Sequence, residues 1–421
     1  MNPTDNPTEH PSGTRAAAPR TRPDILVSAP LLRGPEPVRL LLDPRTGARM
    51  ELSPKVHFVL DRLDGVRTLD QIGEDYAARF GARLGEPQWR QLLGLFYGRR
   101  LLVGAEPPEA AAGSATPMES ARGHWAEGRL RLVTDGHARF DVLRRLPSPA
   151  RHRVVRGAAV AALGAALGTL LVGLVWRLPE LTASAGALVH RPAMLLLVTV
   201  ALWLSMALHE IGHALTARAV GATVGELGLR WRLPMVYLYC DVPDARFLPR
   251  RRQVAVAAAG ALTNLVVLLP AYGVWLLLTR HGGSHPTLSA VLLSGTVVGL
   301  ANLLPLPPLD GYRILEALLG TTRLAQETRA YVARAALRRR RGSGQGTSGY
   351  PRRAKRLYLG YAVLWTTVTA GLLLAVAATV SALTASPDRV LTATLTALAV
   401  AAPVALRVVR PARRRGQAVA R

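Results

Sequence analysis

Residues 192–220 read PAMLLLVTVALWLSMALHEIGHALTARAV. A helix that crosses a bilayer needs about 20 predominantly apolar residues, and this stretch has the length and composition for one. Its later part contains His209, Glu210 and His213 within the apolar run. A charged side chain at the centre of a span raises the free energy of membrane insertion by about 3 kcal/mol, so charged residues at this depth usually have a function. The stretch therefore predicts a membrane helix with a chemical role.

Further apolar stretches of similar character lie on both sides of it, at 157–176, 254–279, 288–309, 357–383 and 390–408. Together the stretches predict a polytopic α-helical membrane protein with about six transmembrane helices. The alternative is a soluble protein that buries all of these helices. Uninterrupted apolar runs argue against it, because they have no polar face to turn toward water.

The charges predict how the chain crosses the membrane. Lys and Arg number 53 against 27 Asp and Glu, a net charge of +26, while only 5% of residues are aromatic, which leaves few stacking platforms for a nucleic acid. Arg-rich and Arg-poor segments alternate between the spans. Segment 144–156 has five Arg residues and 177–191 has two, whereas 221–253 has six and 280–287 has one. By the positive-inside rule we expect a multi-pass protein of the bacterial cytoplasmic membrane with both termini in the cytoplasm.

The motif at 209–213 has the spacing of a metal site. His209 and His213 are four residues apart, so on a helix they lie about 40° apart around the axis and one turn apart along it. Both imidazoles then face the same side and can hold one ion. Glu210 is close enough to take a proton from a water molecule that the metal activates. The alternative is a buried polar cluster that only stabilises a helix bundle.

A zinc site of this kind needs a third protein ligand. Asp310 is the only carboxylate near the matching depth of a later span. The predicted orientation makes both spans run from outside to inside, and His209 lies 17 residues after Pro192 while Asp310 lies 22 after Leu288. The two ligand sets are therefore expected at similar depth, toward the cytoplasmic side.

The approach to Asp310 reads NLLPLPPLDG, residues 302–311. Its prolines end the helix, and unwound chain at membrane depth is tolerated only where it is buried or lines a wet cavity. Asn302 is a candidate to hydrogen-bond the freed backbone or the oxyanion of a tetrahedral intermediate. The alternative for Asn302 is a helix-packing hydrogen bond alone.

The HEIGH motif in one predicted membrane helix and NLLPLPPLDG in a later one resemble the site-2 protease family of intramembrane zinc metalloproteases, over about 192–312. The resemblance implies one Zn2+ per chain, held by His209, His213 and Asp310. It makes Glu210 the general base and Asn302 a catalytic polar residue.

Other family elements match less closely. The GPxxN element of the family corresponds to residues 260–264, GALTN, with Ala261 in place of the proline, and makes Asn264 a further active-site candidate. Tyr312 stands where the family usually has the second glycine of DGG. In the family the region equivalent to 222–248 often forms a hairpin that presents substrate as an added strand. Cys240, the only cysteine, is expected to be an inert small residue.

The N-terminal part has a mixed pattern, with strands predicted at 38–42 and 49–52 around a turn, then helices at 54–63, 68–80 and 86–99. The segments LLLDPRTGARMELSP and LDGVRTLDQIGEDY give it a resemblance to the PqqD-like winged-helix fold, an α+β fold that recognises leader peptides. The resemblance implies a domain that holds a precursor peptide. A structural or dimerising module is the alternative.

The predicted organisation has six parts. They are a disordered leader at 1–23, the PqqD-like domain at 24–103, a linker and membrane-surface segment at 104–156, the site-2-like catalytic core at 157–320, a basic cytoplasmic loop at 321–356, and two further membrane helices with a basic tail at 357–421.

These features favour a zinc metalloendopeptidase that cleaves a precursor peptide during its maturation or export. The expected partners are that peptide, membrane lipids and, as a further candidate, an exporter, but no nucleic acid. One alternative is regulated intramembrane proteolysis of a signalling protein such as an anti-sigma factor. A second is a non-catalytic transport or immunity scaffold.

Overall fold

The computed structural model of the protein describes residues 18–103, 127–133, 153–186, 191–232, 235–280, 282–341 and 349–383. The chain divides into two compact units. The first contains the described residues up to 103 except for 31–36, and those six residues belong with the second unit.

The first unit begins with a small antiparallel sheet, built on strands β1 (Leu26–Val27), β3 (Glu36–Leu42) and β4 (Arg49–Leu52); β2 is Leu31–Arg33. Strand β3 pairs with β1 on one side and with β4 on the other, with Leu41 opposite Met50. A turn joins β3 to β4, in which the N–H of Gly47 donates to the carbonyl of Asp43 at 2.9 Å. The strand and turn positions agree with the predicted pattern.

Three helices complete the first unit: α1 (Pro54–Arg62), α2 (Leu69–Phe80) and α3 (Glu86–Gly98), each within one residue of its predicted bounds. Thr68 and Gln71 cap the start of α2 reciprocally, which satisfies two backbone N–H groups that the helix itself leaves unpaired. The helices cover one core, in which Leu52, Ile72 and Phe96 are fully buried. The likeness of this unit to the PqqD-like fold stays a prediction.

A buried ion cluster ties the beginning of the chain to this unit. The guanidinium of Arg22 lies 2.8 Å from Asp43 and 2.7 Å from Asp24, and it donates to the carbonyl of Arg100 at 2.7 Å. Hydrogen bonds from Arg22 lower the pKa of Asp24 to about 2. Burial alone would raise the pKa of Asp43, but hydrogen bonds from Arg22 and Thr46 outweigh it and lower the pKa overall. Both carboxyls are therefore ionised when the unit is folded at neutral pH.

The second unit is mainly helical, with α4 (Arg153–Trp176), α5 (Leu178–Gly186), α6 (Pro192–Ala219), α7 (Arg250–Thr279), α8 (Pro286–Ala301), α9 (Asp310–Leu319), α10 (Leu324–Arg341) and α11 (Arg352–Leu383). Four of these helices, α4, α6, α7 and α11, are long and apolar enough to cross a membrane. They correspond to four of the predicted spans.

The span predicted at 288–309 is a shorter apolar helix, because α8 ends at Ala301. The following eight residues, 302–309, contain three prolines and form an irregular loop. The prolines thus end the helix earlier than the hydropathy pattern alone indicates. The span predicted at 390–408 lies outside the described residues.

A second antiparallel sheet lies in this unit, in the order β5 (Glu127–Val133), β6 (Leu227–Arg232) and β7 (Met235–Cys240). Strands β6 and β7 are the hairpin expected within 222–248. Strand β5 was not predicted, since 104–156 was interpreted as linker and membrane-surface segment. The alternation Arg129-Leu130-Arg131-Leu132 is typical of a strand, but only pairing with β6, about 100 residues later, selects it.

The helix that starts at Asp310 is held in its C-terminal half. The buried carboxylate of Glu316 lies 2.8 Å from Arg246 in the segment between β7 and α7. At the C-terminal end of α9, the carbonyl of Gly320 accepts a hydrogen bond from the N–H of Leu32 at 2.8 Å. The same short segment continues to Gly34, whose N–H donates to the hydroxyl of Tyr358 on α11 at 2.9 Å. These contacts give α9 a defined position in the second unit.

We expect Arg22→Met to destabilise the first unit by about 3–5 kcal/mol, because it leaves the carboxylate of Asp43 buried without its partner. Arg45→Met is the matched control, since Arg45 is 67% exposed and its ion pair with Asp24 is worth at most about 1 kcal/mol. Hydrogen exchange of β3 and α1 in the full-length protein in detergent measures both. Equal exchange in the two variants would contradict a stabilising role of Arg22 beside Asp43.

In the wild type the contribution of the Arg22 cluster to the free energy of unfolding is lost as the pH falls from about 4 toward 2, since both Asp24 and Asp43 have lowered pKa values.

Candidate metal centre

Two helices bring the predicted ligands together. On α6, His209 and His213 are one turn apart, and Asp310 is the first residue of α9. The Nε2 atoms of the histidines lie 3.0 and 3.2 Å from Oδ2 of Asp310, and 3.2 Å from each other. All three side chains are buried. Among the described residues, no other group of His, Cys, Asp and Glu brings three ligand atoms this close.

The three atoms fit a zinc ion. Zinc at its usual distances of about 2.0–2.1 Å from nitrogen and oxygen separates tetrahedral ligand atoms by about 3.3 Å, and the triangle here has sides of 3.0–3.2 Å. Two neutral nitrogens and one carboxylate oxygen are ligands that zinc accepts in catalytic sites, where a fourth position stays open. The donor set and its spacing therefore suit one zinc ion per chain.

Space for an ion depends on Gly260 of α7. A Cβ atom on this residue would lie 2.4 Å from Nε2 of His209 and 2.5 Å from Nε2 of His213. The glycine face of α7 therefore lies directly against the ligand atoms. Gly212 of α6 faces α7 in the same way, since its Cβ would lie 2.2 Å from Oγ1 of Thr263. The two helices approach closely only because both residues lack side chains.

Each histidine has a second contact on α7. Nδ1 of His213 lies 2.7 Å from the carbonyl of Val256, and Nδ1 of His209 lies 3.1 Å from the side-chain amide of Asn264. Outer partners of this kind set ring orientation in metal sites. The contacts follow from two facing stripes with a period of four residues, Ser205, His209 and His213 on α6 and Val256, Gly260 and Asn264 on α7.

The carboxylate of Glu210 is half-buried and accepts a hydrogen bond from the backbone N–H of Cys240 at 2.9 Å. Cys240 is the last residue of β7, so the hairpin holds the predicted base. Burial and the neighbouring charge of Glu210 raise the pKa of the Cys240 thiol to about 12. The thiol is therefore protonated at neutral pH, as expected for an inert residue.

Asn302 lies at the end of α8, where its carbonyl accepts a hydrogen bond from the N–H of Gly311 at 2.7 Å. Within the described part of the chain its side-chain amide has no hydrogen bond. The structure thus connects its backbone to the segment that carries Asp310, and its predicted contact with an oxyanion stays a prediction. The loop between them is also held by Tyr361 of α11, whose hydroxyl donates to the carbonyl of Pro305 at 3.1 Å.

Sequence reasoning did not predict four contributions to this site: the space at Gly260, the hydroxyl of Ser205, the carbonyl of Val256 and the N–H of Cys240; Gly260 itself was named only as the first residue of the GALTN element. A signal existed for Ser205, which precedes His209 by one helical turn, and for Gly260, which precedes Asn264 by one turn. The carbonyl of Val256 and the N–H of Cys240 could not be predicted, because every residue type offers the same backbone carbonyl and nearly every type the same N–H.

We expect Gly260→Ala to prevent metal binding, because the new methyl group would occupy the space of the ion. Alanine is the better helix former by about 1 kcal/mol, so a loss cannot come from helix propensity. Gly273→Ala is the matched control, since no atom lies within 4 Å of a Cβ at that position of the same helix. The zinc content of both purified variants, measured by mass spectrometry, tests this. Full zinc occupancy in Gly260→Ala would overturn the assignment of the ion to this place.

Comparison with known proteins gives two relatives. A Bacillus subtilis protein named "Putative zinc metalloprotease YwhC" is 30% identical over 161 residues, which cover 32% of this chain and 74% of the relative. "Zinc metalloprotease MJ0392" of Methanocaldococcus jannaschii is 28% identical over 118 residues, which cover 28% of this chain and 33% of the relative. The chain therefore spans about a third of the length of the second relative. No protein-family profile matches the chain.

Proposed function

We propose that this chain, which belongs to the zinc metalloprotease family of its Bacillus subtilis relative, is a membrane-embedded endopeptidase of the site-2 type that cleaves a precursor peptide during maturation or export. The observation that carries the proposal is the buried triangle of His209, His213 and Asp310 with Glu210 beside it. The four helices long enough to cross a membrane support its membrane location.

Each residue of the site has a role in this proposal. His209, His213 and Asp310 hold the zinc ion, which when bound supplies a Lewis acid that activates water and polarises the scissile carbonyl. Glu210 removes a proton from the attacking water and returns it to the leaving amine. The N–H of Cys240 holds one oxygen of Glu210 and leaves the other for the proton. Asn302 is proposed as a donor to the oxyanion.

The edge of β7 is the proposed binding place for the substrate. Strand β6 covers one edge of β7, and in the part of the chain that the structure describes no strand covers the other. The N–H groups of a strand alternate between its two sides, so Leu238 presents its N–H on the same side as Cys240. A peptide added to that edge would lead to Glu210. This mode gives affinity through main-chain hydrogen bonds and tolerates varied side chains.

The first unit is the proposed holder of the precursor. It contains a cavity of about 340 Å3 whose apolar lining includes Val38, Phe58 and Phe80. Arg39, Arg62 and Arg79 line the same cavity with one carboxylate, Asp61, and Arg62 also pairs with Asp75 at 3.2 Å. This composition suits a peptide segment with apolar side chains and a net negative charge. This cavity supports the proposed peptide recognition independently of any resemblance of the first unit to the PqqD-like fold.

We expect Glu210→Gln to retain zinc and to lose cleavage, because the amide keeps the shape of the side chain but cannot accept a proton. The test compares small peptides from host cells that carry the wild type, Glu210→Gln or Glu180→Gln. Glu180 is a matched control, since it is half exposed and pairs only with Arg177 at 3.7 Å among the described residues. A precursor that accumulates only in Glu210→Gln, with its shorter product missing, identifies the substrate and the bond.

Two other results would redirect the proposal. If the peptides are unchanged and a membrane protein is stabilised instead, the substrate is a signalling protein. If cells with Glu210→Gln and wild type contain the same peptides and proteins, the enzyme assignment fails and a scaffold role replaces it.

We expect charge reversal in this cavity, Arg39→Glu with Arg79→Glu, to raise KM for the accumulated precursor about two- to fivefold for each ionic interaction removed, since an ion pair of a solvent-accessible arginine is worth about 0.5–1 kcal/mol. The turnover number should be unchanged, because the metal ligands and Glu210 remain. Arg90→Glu is the control on α3, since Arg90 is 73% exposed and does not line the cavity. An unchanged KM in the double variant would exclude this cavity as the peptide site.

A further inference from the structure

We infer that Asn264 is the residue that supplies the hydrogen-bond acceptor for Nδ1 of His209 when a metal is held at Nε2, and that Ser205 satisfies the other end of the Asn264 amide. The inference rests on the proposed metal site. It concerns a positioning role, since neither side chain is a ligand. Asn264 is fully buried and Ser205 is 7% exposed.

The argument begins with the ring nitrogens of His209. Its Nε2 is the atom that faces Asp310 and His213, at 3.0 and 3.2 Å. A neutral imidazole carries one proton, on one nitrogen or the other. A metal at Nε2 uses the lone pair of that atom, so the proton must lie on Nδ1. Nδ1 of His209 then needs a hydrogen-bond acceptor.

For His213 the acceptor is the backbone carbonyl of Val256, which can only accept, at 2.7 Å. For His209 the partner is an amide that can either accept or donate. In the structure Nδ2 of Asn264 faces Nδ1 of His209 at 3.1 Å, and Oδ1 accepts from the hydroxyl of Ser205 at 3.1 Å. This arrangement suits a ring with its proton on Nε2, which is the form that cannot bind a metal through Nε2.

A rotation of the Asn264 amide by 180° exchanges its two ends and keeps both hydrogen bonds. Oδ1 then accepts the proton of Nδ1, and Nδ2 donates to the hydroxyl of Ser205, which can accept as well as donate. The rotation also turns Nδ2 away from the sulfur of Met206, a weak acceptor at 4.0 Å, at little energetic cost. One amide thus matches both ring forms of His209, and Ser205 satisfies its other end in each.

The test is zinc affinity, measured by chelator competition on the full-length protein in detergent. Asn264→Leu removes the acceptor and keeps the number of side-chain heavy atoms, and we expect zinc affinity to fall 10–100-fold, as for other outer partners of metal-binding histidines. Asn264→Asp restores an acceptor for Nδ1, so its affinity should fall by less than about tenfold. Ser205→Ala should give a smaller loss than Asn264→Leu, because the acceptor for Nδ1 remains and only the hydrogen bond at the other end of the amide is lost.

The Asp variant separates positioning from packing. If Asn264 only filled space between α6 and α7, a buried carboxylate would be tolerated no better than leucine, and Asn264→Asp would lose as much zinc affinity as Asn264→Leu. Ser289→Ala is the matched control, since it removes a buried hydrogen bond to Trp275 of α7 that contacts no metal ligand. The absorption spectrum of the cobalt-substituted protein reports in addition whether the ligand set is intact in each variant.

The outcomes distinguish this inference from the proposed function. If wild-type protein does not bind zinc, or if Asp310→Ala binds it equally well, the metal site itself is wrong. If wild type binds zinc and Asn264→Leu binds it with the same affinity, the metal site stands and the positioning role is overturned. Equal losses in Asn264→Leu and Asn264→Asp, with both proteins folded, would also overturn it.

Discussion

The close approach of α6 and α7 at Gly260 is the interaction on which the rest of the site depends. A Cβ atom on Gly260 would lie 2.4–2.5 Å from the Nε2 atoms of His209 and His213, so no side chain fits at this position. On either side of this point α7 contributes one partner to each imidazole, the carbonyl of Val256 and the amide of Asn264. Two buried histidines are costly unless their polar atoms are satisfied, so the same helix packing that makes room for an ion also fixes the rings that hold it.

The third ligand depends on a different set of contacts. Asp310 follows a proline-rich loop, and such a loop has no regular hydrogen bonds to define its position. Two side-chain interactions and one backbone pair define it instead: Tyr361 binds the carbonyl of Pro305, Arg246 binds Glu316, and Gly311 binds the carbonyl of Asn302. These contacts come from α11, from the segment before α7 and from the end of α8. The hydropathy pattern indicates no role for α11, but its Tyr361 helps to position the loop that precedes Asp310.

In the proposed function the hairpin connects the chemistry with peptide binding. Its last residue, Cys240, donates to Glu210 through the main chain, and the same side of β7 pairs with no other strand in the described part of the chain. A peptide that adds to this edge therefore approaches the proposed base along a main-chain direction that does not depend on side-chain identity. Strand β5 lies on the far side of β6, so β7 is an edge strand of the described sheet.

The sequence by itself determined the features that depend on neighbours in the chain. Helical spacing located α1 to α3, apolar length located the four long helices, and the HEIGH and LDG segments named the three candidate ligands and the candidate base. Tertiary structure alone decided the pairing of β5 with β6, the space at Gly260, the N–H of Cys240 on Glu210 and the amide of Asn264 on His209. Each of these joins segments about 30 to 100 residues apart. Periodicity indicates only which face of an element is apolar, whereas a contact between two elements depends on their relative position and crossing angle. Backbone N–H and C=O groups are nearly the same in every residue type, so their contacts cannot be read from residue identity.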